Sequence, residues 1–524
     1  MMRWSDTSTG PDTQGEPEEV ADERWLARLT GVAIVVGLLL RLVRLAVLPG
    51  EMYGDITIVW EYVHRIRGGE WPTYFDLSSG PLYHYLITPI TLVVGLDFTG
   101  LKIASVLVSL GVLAFTYVLA RQLVDRSLAV MTLCISSVSS WLLVFSRLGN
   151  SQIVTPLLTV AVLVLLVRAA RTPEWWSPAL AGLVAAAGLL AYPQTFVLAP
   201  VMFVTLLCMW ATGTGITRRH VVAFAGGVGL GSLLLVVAMH RSPVDFSNGY
   251  VGSKLDGGSD WLSIGLGNIW RSALAFNWRG DRGFRSNPVN QPHLDLLSGL
   301  LMLIGILVWL QPARRRWAPV VLVPFVLLQV PAALVLAVPA DVPSASRTLL
   351  VAPLAYLLVA TGLWWIVGEL RRRRGARVAV AMCVALLSVV AVTNTRRYFV
   401  DYANGLPNHN TPFGRVIADY LEGQPAETHA FLVGCCWGEW GQPEPKGIRY
   451  LDANAVANRV VELPADTFDC AALHSLPRPA VVIWSPSRDR PSSLLDDCAS
   501  EFNQELRYAP NGTAVFRVIS LPDG

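Results

Sequence analysis

The sequence predicts an all-α polytopic membrane domain followed by a small α/β domain. Of its 524 residues, 53% are hydrophobic and only 15% are charged, and the mean hydropathy is +0.47. An average soluble domain has about 25% charged residues. Apolar runs long enough to cross a bilayer recur down to residue 394, and the composition changes sharply after it. The net charge of +3 is too small and too dispersed to indicate a nucleic-acid-binding protein.

The membrane domain is predicted to begin after a polar tail. Residues 1–23 contain almost no apolar side chains and are expected to form a disordered cytoplasmic tail. Beyond them, about eleven stretches have the length and apolar content of helices that cross about 30 Å of hydrocarbon. These stretches cover residues 26–48, 101–120, 128–145, 153–167, 178–192, 196–211, 221–240, 294–310, 318–337, 349–366 and 378–392.

The arginines predict how this domain is oriented. If the spans alternate, clusters such as 314–316 and 371–374 fall on one side, and short cytoplasmic loops carry the excess of Lys and Arg. The N-terminus is then cytoplasmic, while loops at about 50–96 and 241–293 face outward together with the C-terminal region. We therefore expect a membrane domain at 24–394 and an extracytoplasmic domain at 395–524.

The C-terminal domain is predicted from short β-type runs. Runs at 430–433, 459–463, 480–484 and 514–519 alternate with helix-like stretches, which is typical of a small α/β domain. It holds Cys435, Cys436, Cys470 and Cys498. Because neighbouring cysteines rarely bond to each other, two connectivities with Cys470 and Cys498 are expected if disulfides form. The alternative is four reduced thiols.

One carboxylate in the first loop is a candidate general base. Asp55 lies just beyond the outer end of the first span, at the head of an amphipathic stretch, 58–66. The structural alternative is a helix cap, worth about 1 kcal/mol. The functional interpretation is a base held where a lipid-borne substrate arrives. The rest of the loop favours it, because the segment 81–86 leads into an apolar stretch, 87–94, that is too short to span the membrane.

Several short motifs occur in a fixed order along the membrane domain. They are Asp55, Pro81-Leu82-Tyr83, Ser146-Arg147, Gly280-Asp281 with Arg285-Ser286-Asn287-Pro288, Leu294-Asp295 and Ser346-Arg347. This order resembles membrane glycosyltransferases of the C-type superfamily, in particular bacterial relatives of protein O-mannosyltransferases and aminoarabinose transferases, over roughly residues 25 to 395.

The resemblance implies a multi-pass protein of a bacterial cytoplasmic (inner or plasma) membrane. Such proteins transfer a sugar from a polyprenyl-phosphate donor to an acceptor on the extracytoplasmic face, usually with inversion, and Asp55 is similar to their catalytic base. Two positions depart from the pattern. Ile56 stands where many relatives carry glutamate, and Ser79-Gly80 stands where many carry lysine.

Cationic side chains are expected near the departing phosphate. That phosphate gains negative charge at the membrane boundary, so positive groups there would stabilise the transition state. Arg147, Arg347 and Lys102 lie near the outer ends of spans. The structural alternative for each is snorkelling to lipid headgroups or pairing within the protein. The remaining candidate substrate-binding residues lie in the loops: Tyr83, His84, Tyr192, Gln194, Asp281, Arg285 and Asn287.

The expected partners are a lipid-linked sugar donor and a protein, lipid or polysaccharide acceptor.

No metal-binding motif is present in the sequence, so no metal ligands are predicted. Folding can also bring separate oxygen ligands together, so the sequence leaves open whether the protein binds a divalent cation. A transporter or lipid flippase is the main alternative; it favours repeated halves and ionisable residues near mid-bilayer. The other alternative is a non-catalytic protein that binds polyprenyl lipids, which would not need Asp55.

Overall fold

A computed structural model describes residues 17–72, 79–241, 252–451, 456–466, 468–487 and 502–522. Its α-helices up to residue 405 are α1 (Pro17–Leu42), α2 (Asp55–Arg67), α3 (Leu82–Val94), α4 (Phe98–Leu123), α5 (Arg126–Val138), α6 (Ser140–Ser146), α7 (Val154–Arg171), α8 (Trp176–Ala187), α9 (Leu198–Ala211), α10 (Arg218–Arg241), α11 (Gly252–Leu255), α12 (Trp261–Leu274), α13 (Leu296–Trp309), α14 (Ala318–Leu327), α15 (Val330–Ala333), α16 (Ala352–Arg374), α17 (Ala376–Arg396) and α18 (Ala403–Gly405).

The predicted polytopic helical fold is confirmed. Each of the eleven predicted spans contains a helix of the structure. Among the described residues, seven helices are long and apolar enough to cross a membrane, or eight if the bent pair α5 and α6 forms one span. The helices in the other three predicted spans are shorter, at Trp176–Leu190, Leu296–Trp309 and Ala318–Ala333. Helix α1 begins within the predicted polar tail, whose residues 1–16 lie outside the described residues.

Polar residues interrupt a span that the sequence predicts as continuous. Helices α5 and α6 meet at Ser139 with a bend of 62°. The side-chain oxygen of Asn394 accepts hydrogen bonds from the backbone N–H of Ser140 at 2.9 Å and from its hydroxyl at 3.0 Å. The first of these bonds gives a partner to the backbone N–H of Ser140, which the break excludes from the hydrogen-bond pattern of the helix.

The centre of the bundle is the first half of α16, in which every residue of Ala352–Leu363 is buried. It packs closely against α13. A Cβ atom added to Gly305 of α13 would lie 1.9 Å from the carbonyl oxygen of Leu358. Only glycine fits there, because the two helices approach backbone to backbone.

The C-terminal domain is a mixed five-stranded sheet with helices against it. Its strands are β1 (His429–Val433), β2 (Val461–Leu463), β3 (Ala480–Trp484), β4 (Gln504–Tyr508) and β5 (Ala514–Leu521), in the order β2-β1-β3-β5-β4. Strand β1 runs parallel to β2 and β3, and β5 is antiparallel to β3 and β4. Its helices are α19 (Pro407–Asn410), α20 (Phe413–Glu422), α21 (Pro445–Leu451) and α22 (Cys470–His474).

The predicted α/β domain is thus confirmed, with four of its strands where the sequence indicates them. The sequence analysis did not predict β4, whose residues from Glu505 to Tyr508 are exposed. An edge strand of polar side chains lacks the apolar alternation that identifies a strand.

The cysteines pair differently from the expectation. Cys435 and Cys436 form a disulfide with each other across a cis peptide bond. The exclusion of this pair is therefore wrong, because the pattern of cysteines does not reveal the backbone conformation between them. Cys470 is also disulfide-bonded, while Cys498 lies outside the described residues.

Candidate active site

Asp55 is the first residue of α2, and its side chain is exposed. Its carboxylate makes no hydrogen bond or ion pair with any residue that the structure describes. The N-cap position belongs to Gly54, and no side chain of the helix itself caps it. This geometry does not favour the structural alternative, in which Asp55 caps the helix.

The first loop meets the long loop beside Asp55. The guanidinium of Arg285 lies against Gly54, where a Cβ atom would be 3.0 Å from Nη1. The neighbouring rings of Tyr53 and Phe284 form an edge-to-face pair with centroids 5.3 Å apart. Folding therefore brings Arg285 of the long loop to Gly54, the residue that precedes Asp55.

Asp281 fixes the position of this part of the long loop. Its side chain is 8% exposed and accepts backbone hydrogen bonds from Gly283 and Ala345, both at 2.7 Å. Burial raises the pKa of Asp281, and these two hydrogen bonds counteract part of the shift. The buried carboxylate thus ties the loop that carries Arg285 to the segment that carries Arg347.

A groove of about 180 Å³ lies beside Arg347. Gln194, Lys254 and Arg347 are among its lining residues, and its surface is almost entirely apolar. Asp341 lies 3.5 Å from the guanidinium of Arg347 and 3.3 Å from the ammonium of Lys254. The apolar lining residues are Pro193, Phe196, Val197, Leu255, Pro331, Leu334 and Val335.

Arg147 has an environment unlike that of Arg347. It is completely buried, and it donates hydrogen bonds to the carbonyl oxygens of Leu40 and Val43 at 2.6 and 2.7 Å and to the hydroxyl of Tyr398 at 2.8 Å. The two carbonyls belong to the end of α1 and the turn after it. This geometry favours the structural alternative for Arg147.

Lys102 has a similar environment. Its buried ammonium donates to the carbonyl oxygens of Leu45 and Pro49 at 2.9 and 2.5 Å and lies 3.9 Å from the centroid of the Phe98 ring. It therefore holds the chain between the first span and Asp55.

The other predicted binding residues are buried near the loops. The Tyr83 hydroxyl lies 2.6 Å from that of Ser105, and the Tyr192 hydroxyl accepts a hydrogen bond from Gln152 at 3.2 Å. His84 Nδ1 lies 3.2 Å from the Gly80 carbonyl oxygen. The Asn287 side chain donates to backbone carbonyls of its own loop, including that of Pro288 at 2.9 Å. Within the described chain, none of these residues makes a hydrogen bond with Asp55.

Two carboxylates that the sequence analysis did not single out link the first loop to the C-terminal domain. Glu51 is 1% exposed and accepts a hydrogen bond from the backbone N–H of Gly414 at 2.8 Å. Burial raises the pKa of Glu51 to about 8. Glu444 accepts a hydrogen bond from the backbone N–H of Gly54 at 2.6 Å. No sequence signal pointed to Glu444, because 390 residues separate it from its partner.

No group of three or more His, Cys, Asp or Glu side chains among the described residues is arranged to hold a metal ion.

Comparisons with known proteins agree with this architecture. The sequence model of the family described as dolichyl-phosphate-mannose-protein mannosyltransferase matches residues 78–240. No curated protein matches the chain in sequence. The structure is similar to that of ArnT from Cupriavidus metallidurans bound to undecaprenyl phosphate, with 13% identity and a TM-score of 0.54, covering 95% of this chain and 99% of ArnT.

A second similar structure is the archaeal oligosaccharyltransferase AglB from Archaeoglobus fulgidus in complex with an inhibitory peptide and a dolichol-phosphate. The identity is 13% and the TM-score is 0.51, covering 94% of this chain and 74% of AglB. At these identities the likeness establishes the fold. The chain therefore has the polytopic architecture of C-type glycosyltransferases, and the resemblance indicated by its motifs is confirmed.

Proposed function

We propose that the protein is an integral membrane glycosyltransferase. It moves a sugar from a polyprenyl-phosphate donor to an acceptor on the extracytoplasmic face, with inversion and with Asp55 as the general base. The observation that carries this proposal is the exposed Asp55 carboxylate at the head of α2, which makes no hydrogen bond or ion pair with any described residue. The guanidinium of Arg285 lies against Gly54, the residue before it.

The chemistry of Asp55 suits an inverting transfer. The acceptor nucleophile attacks the anomeric carbon, the bond from that carbon to the phosphate oxygen breaks, and Asp55 takes the proton of the nucleophile. A base must lie within hydrogen-bond reach of that proton, directly or through one water molecule. An exposed carboxylate without hydrogen-bond partners meets this requirement, whereas a buried, fully bonded one such as Asp281 does not.

The groove beside Arg347 suits the donor lipid. Its apolar walls match a polyprenyl chain. The cationic groups of Arg347 and Lys254, which lie together on Asp341, match a phosphate at its edge. ArnT and AglB have been solved with undecaprenyl phosphate and a dolichol-phosphate, which supports a lipid-linked donor for this chain too. Arg147 has no part in this proposal, since carbonyl oxygens and Tyr398 already bind its guanidinium.

The arginine distribution supports an orientation with the N-terminus in the cytoplasm. Asp55, the groove and the C-terminal domain then face the outside, where a protein, lipid or polysaccharide acceptor is available. The C-terminal domain contacts the loop that carries Asp55, which supports a role for this domain in catalysis.

The test compares the wild type with Asp55→Asn in liposomes. Both receive radiolabelled polyprenyl-phosphate hexoses or pentoses and a bacterial envelope extract, and label transfer and release of lipid phosphate are measured. We expect the wild type to transfer label and Asp55→Asn to lose about 10²- to 10⁴-fold in rate, the usual contribution of a general base. Asp466→Asn, an exposed carboxylate of the C-terminal domain, is the matched control and should retain the wild-type rate.

Two outcomes would contradict the proposal. Equal rates in the wild type and Asp55→Asn would remove Asp55 from the mechanism. If the wild type binds the polyprenyl-phosphate sugars but transfers label from none of them, a lipid-handling protein or a flippase would be favoured instead.

A further inference from the structure

The N-terminus of α2 is unusual because its own sequence does not cap it. The N-cap residue is Gly54, with φ of 37°, so it has no side chain that could accept a hydrogen bond. The carbonyl oxygens of Tyr53 and Gly54 accept from the backbone N–H groups of Ile56 and Thr57, both at 3.0 Å. The side chain of Asp55 makes no hydrogen bond with the described residues. Another part of the chain binds the N–H of Gly54 itself.

Glu444 of the C-terminal domain performs this task. Its Oε2 accepts the hydrogen bond from Gly54 N–H at 2.6 Å, and its Oε1 lies 3.5 Å from the hydroxyl of Thr57. That hydroxyl donates to the Gly54 carbonyl oxygen at 2.7 Å, so both polar groups of Gly54 are held. A carboxylate at a helix N-terminus also interacts favourably with the helix dipole.

The same face of α2 is docked on the C-terminal domain at further points. The ring of Trp60 stacks on that of Tyr450 with centroids 4.0 Å apart, and Lys446 lies 3.6 Å from Glu61. Helix α21, which carries Tyr450, begins directly after Glu444. The contact of Glu444 with Gly54 is thus the end of a continuous interface that reaches the residue preceding Asp55.

We infer that Glu444 is a positioning residue for Asp55. It fixes Gly54, the N-cap residue directly before Asp55, while the Asp55 carboxylate makes no hydrogen bond with the described residues and stays available for the acceptor. This inference rests on the proposed function, because it assumes that Asp55 is the base. It assigns the C-terminal domain a direct part in the transfer reaction.

The test measures steady-state transfer by the full-length protein in liposomes for Glu444→Ala and Glu444→Gln. The amide oxygen of glutamine still accepts the Gly54 N–H, whereas alanine cannot. Because misplacement of a reacting group by about 1 Å can cost about 10²-fold, we expect Glu444→Ala to lower kcat by about that factor with an unchanged KM for the donor. Glu444→Gln should recover most of the lost rate. Glu505→Gln, in the exposed surface pair with Arg507, is the control.

The outcomes separate this inference from the proposed function. If the wild type transfers sugar, Asp55→Asn does not and Glu444→Ala keeps the wild-type kcat, only the inference fails. If the wild type transfers nothing from any donor, the proposed function fails. A rise in KM with unchanged kcat, or equal losses in Glu444→Ala and Glu444→Gln, would also overturn the positioning role. Binding of undecaprenyl phosphate by Glu444→Ala at the wild-type level verifies that this variant is folded.

Discussion

Glu51 gives a direct test of how the first loop is held. Its carboxyl group is buried against the start of α20, where Gly414 donates to Oε2 at 2.8 Å, while Oε1 has no hydrogen-bond partner in the described chain. Burial raises the pKa of Glu51 from 4.5 to about 8, and the hydrogen bond from Gly414 offsets only part of this shift. Glu51 is therefore protonated in the folded protein at neutral pH.

This shift predicts the direction of a pH dependence. The folded state binds the proton of Glu51 more tightly than the unfolded state, so its contribution to stability is fully present below about pH 4.5 and is lost as the pH rises to about 8. The difference between 4.5 and about 8, at about 1.4 kcal/mol per pH unit, sets an upper limit of about 5 kcal/mol.

Glu51→Gln removes the titration and keeps the shape of the side chain. We expect the melting temperature of the detergent-solubilised wild type to fall relative to that of Glu51→Gln between about pH 5 and about pH 8, and the difference to level off above that. Intrinsic fluorescence is a suitable probe because the chain has 18 tryptophans. Glu427→Gln, at an exposed position, should follow the wild type. Parallel curves for the wild type and Glu51→Gln at every pH would refute the buried, protonated state.

Two arginines that look alike in the sequence should respond in opposite ways. Arg347→Gln removes one cation of the groove and should weaken binding of undecaprenyl phosphate roughly ten- to a hundredfold, the equivalent of about 1.5–3 kcal/mol for a charged hydrogen bond, with little change in melting temperature. Arg147→Gln leaves the partly buried carbonyls of Leu40 and Val43 without their donor and should destabilise the bundle by about 3 kcal/mol, measured as a lower melting temperature. A loss of lipid binding in Arg147→Gln at the wild-type melting temperature would instead favour a phosphate contact.

The sequence predicted most of the membrane domain because apolar length is a local property. The eleven predicted spans and the four predicted strands all correspond to elements of the structure. Local signals failed where tertiary contacts decide the conformation. The break at Ser139 depends on Asn394, which follows far along the chain, and β4 is defined by its pairing with β5 rather than by an apolar pattern.

The candidate site was only partly predictable for the same reason. The position of Asp55 after the first span singled it out, and its exposure is a property of the fold. The sequence left open whether Arg147 and Arg347 bind the donor or pair within the protein. Their surroundings, carbonyl oxygens for Arg147 and an exposed carboxylate for Arg347, depend on segments far apart in the chain. Glu444 reaches Gly54 across 390 residues, a pairing that no spacing reveals.

The contrast between these cations also indicates how a donor phosphate would enter the groove. Arg147 and Lys102 donate to backbone carbonyls that receive no other hydrogen bond from the described residues, so releasing them would leave buried or partly buried oxygens unsatisfied. Arg347 and Lys254 instead share Asp341, whose side chain is 41% exposed. The Arg347 side chain is 12% exposed and also donates to the backbone carbonyl oxygen of Asp341 at 3.2 Å, whereas the Asp341 carboxylate itself can be solvated when it is released. In the proposed mechanism an incoming phosphate therefore replaces the Asp341 carboxylate at a lower cost than the carbonyls around Arg147.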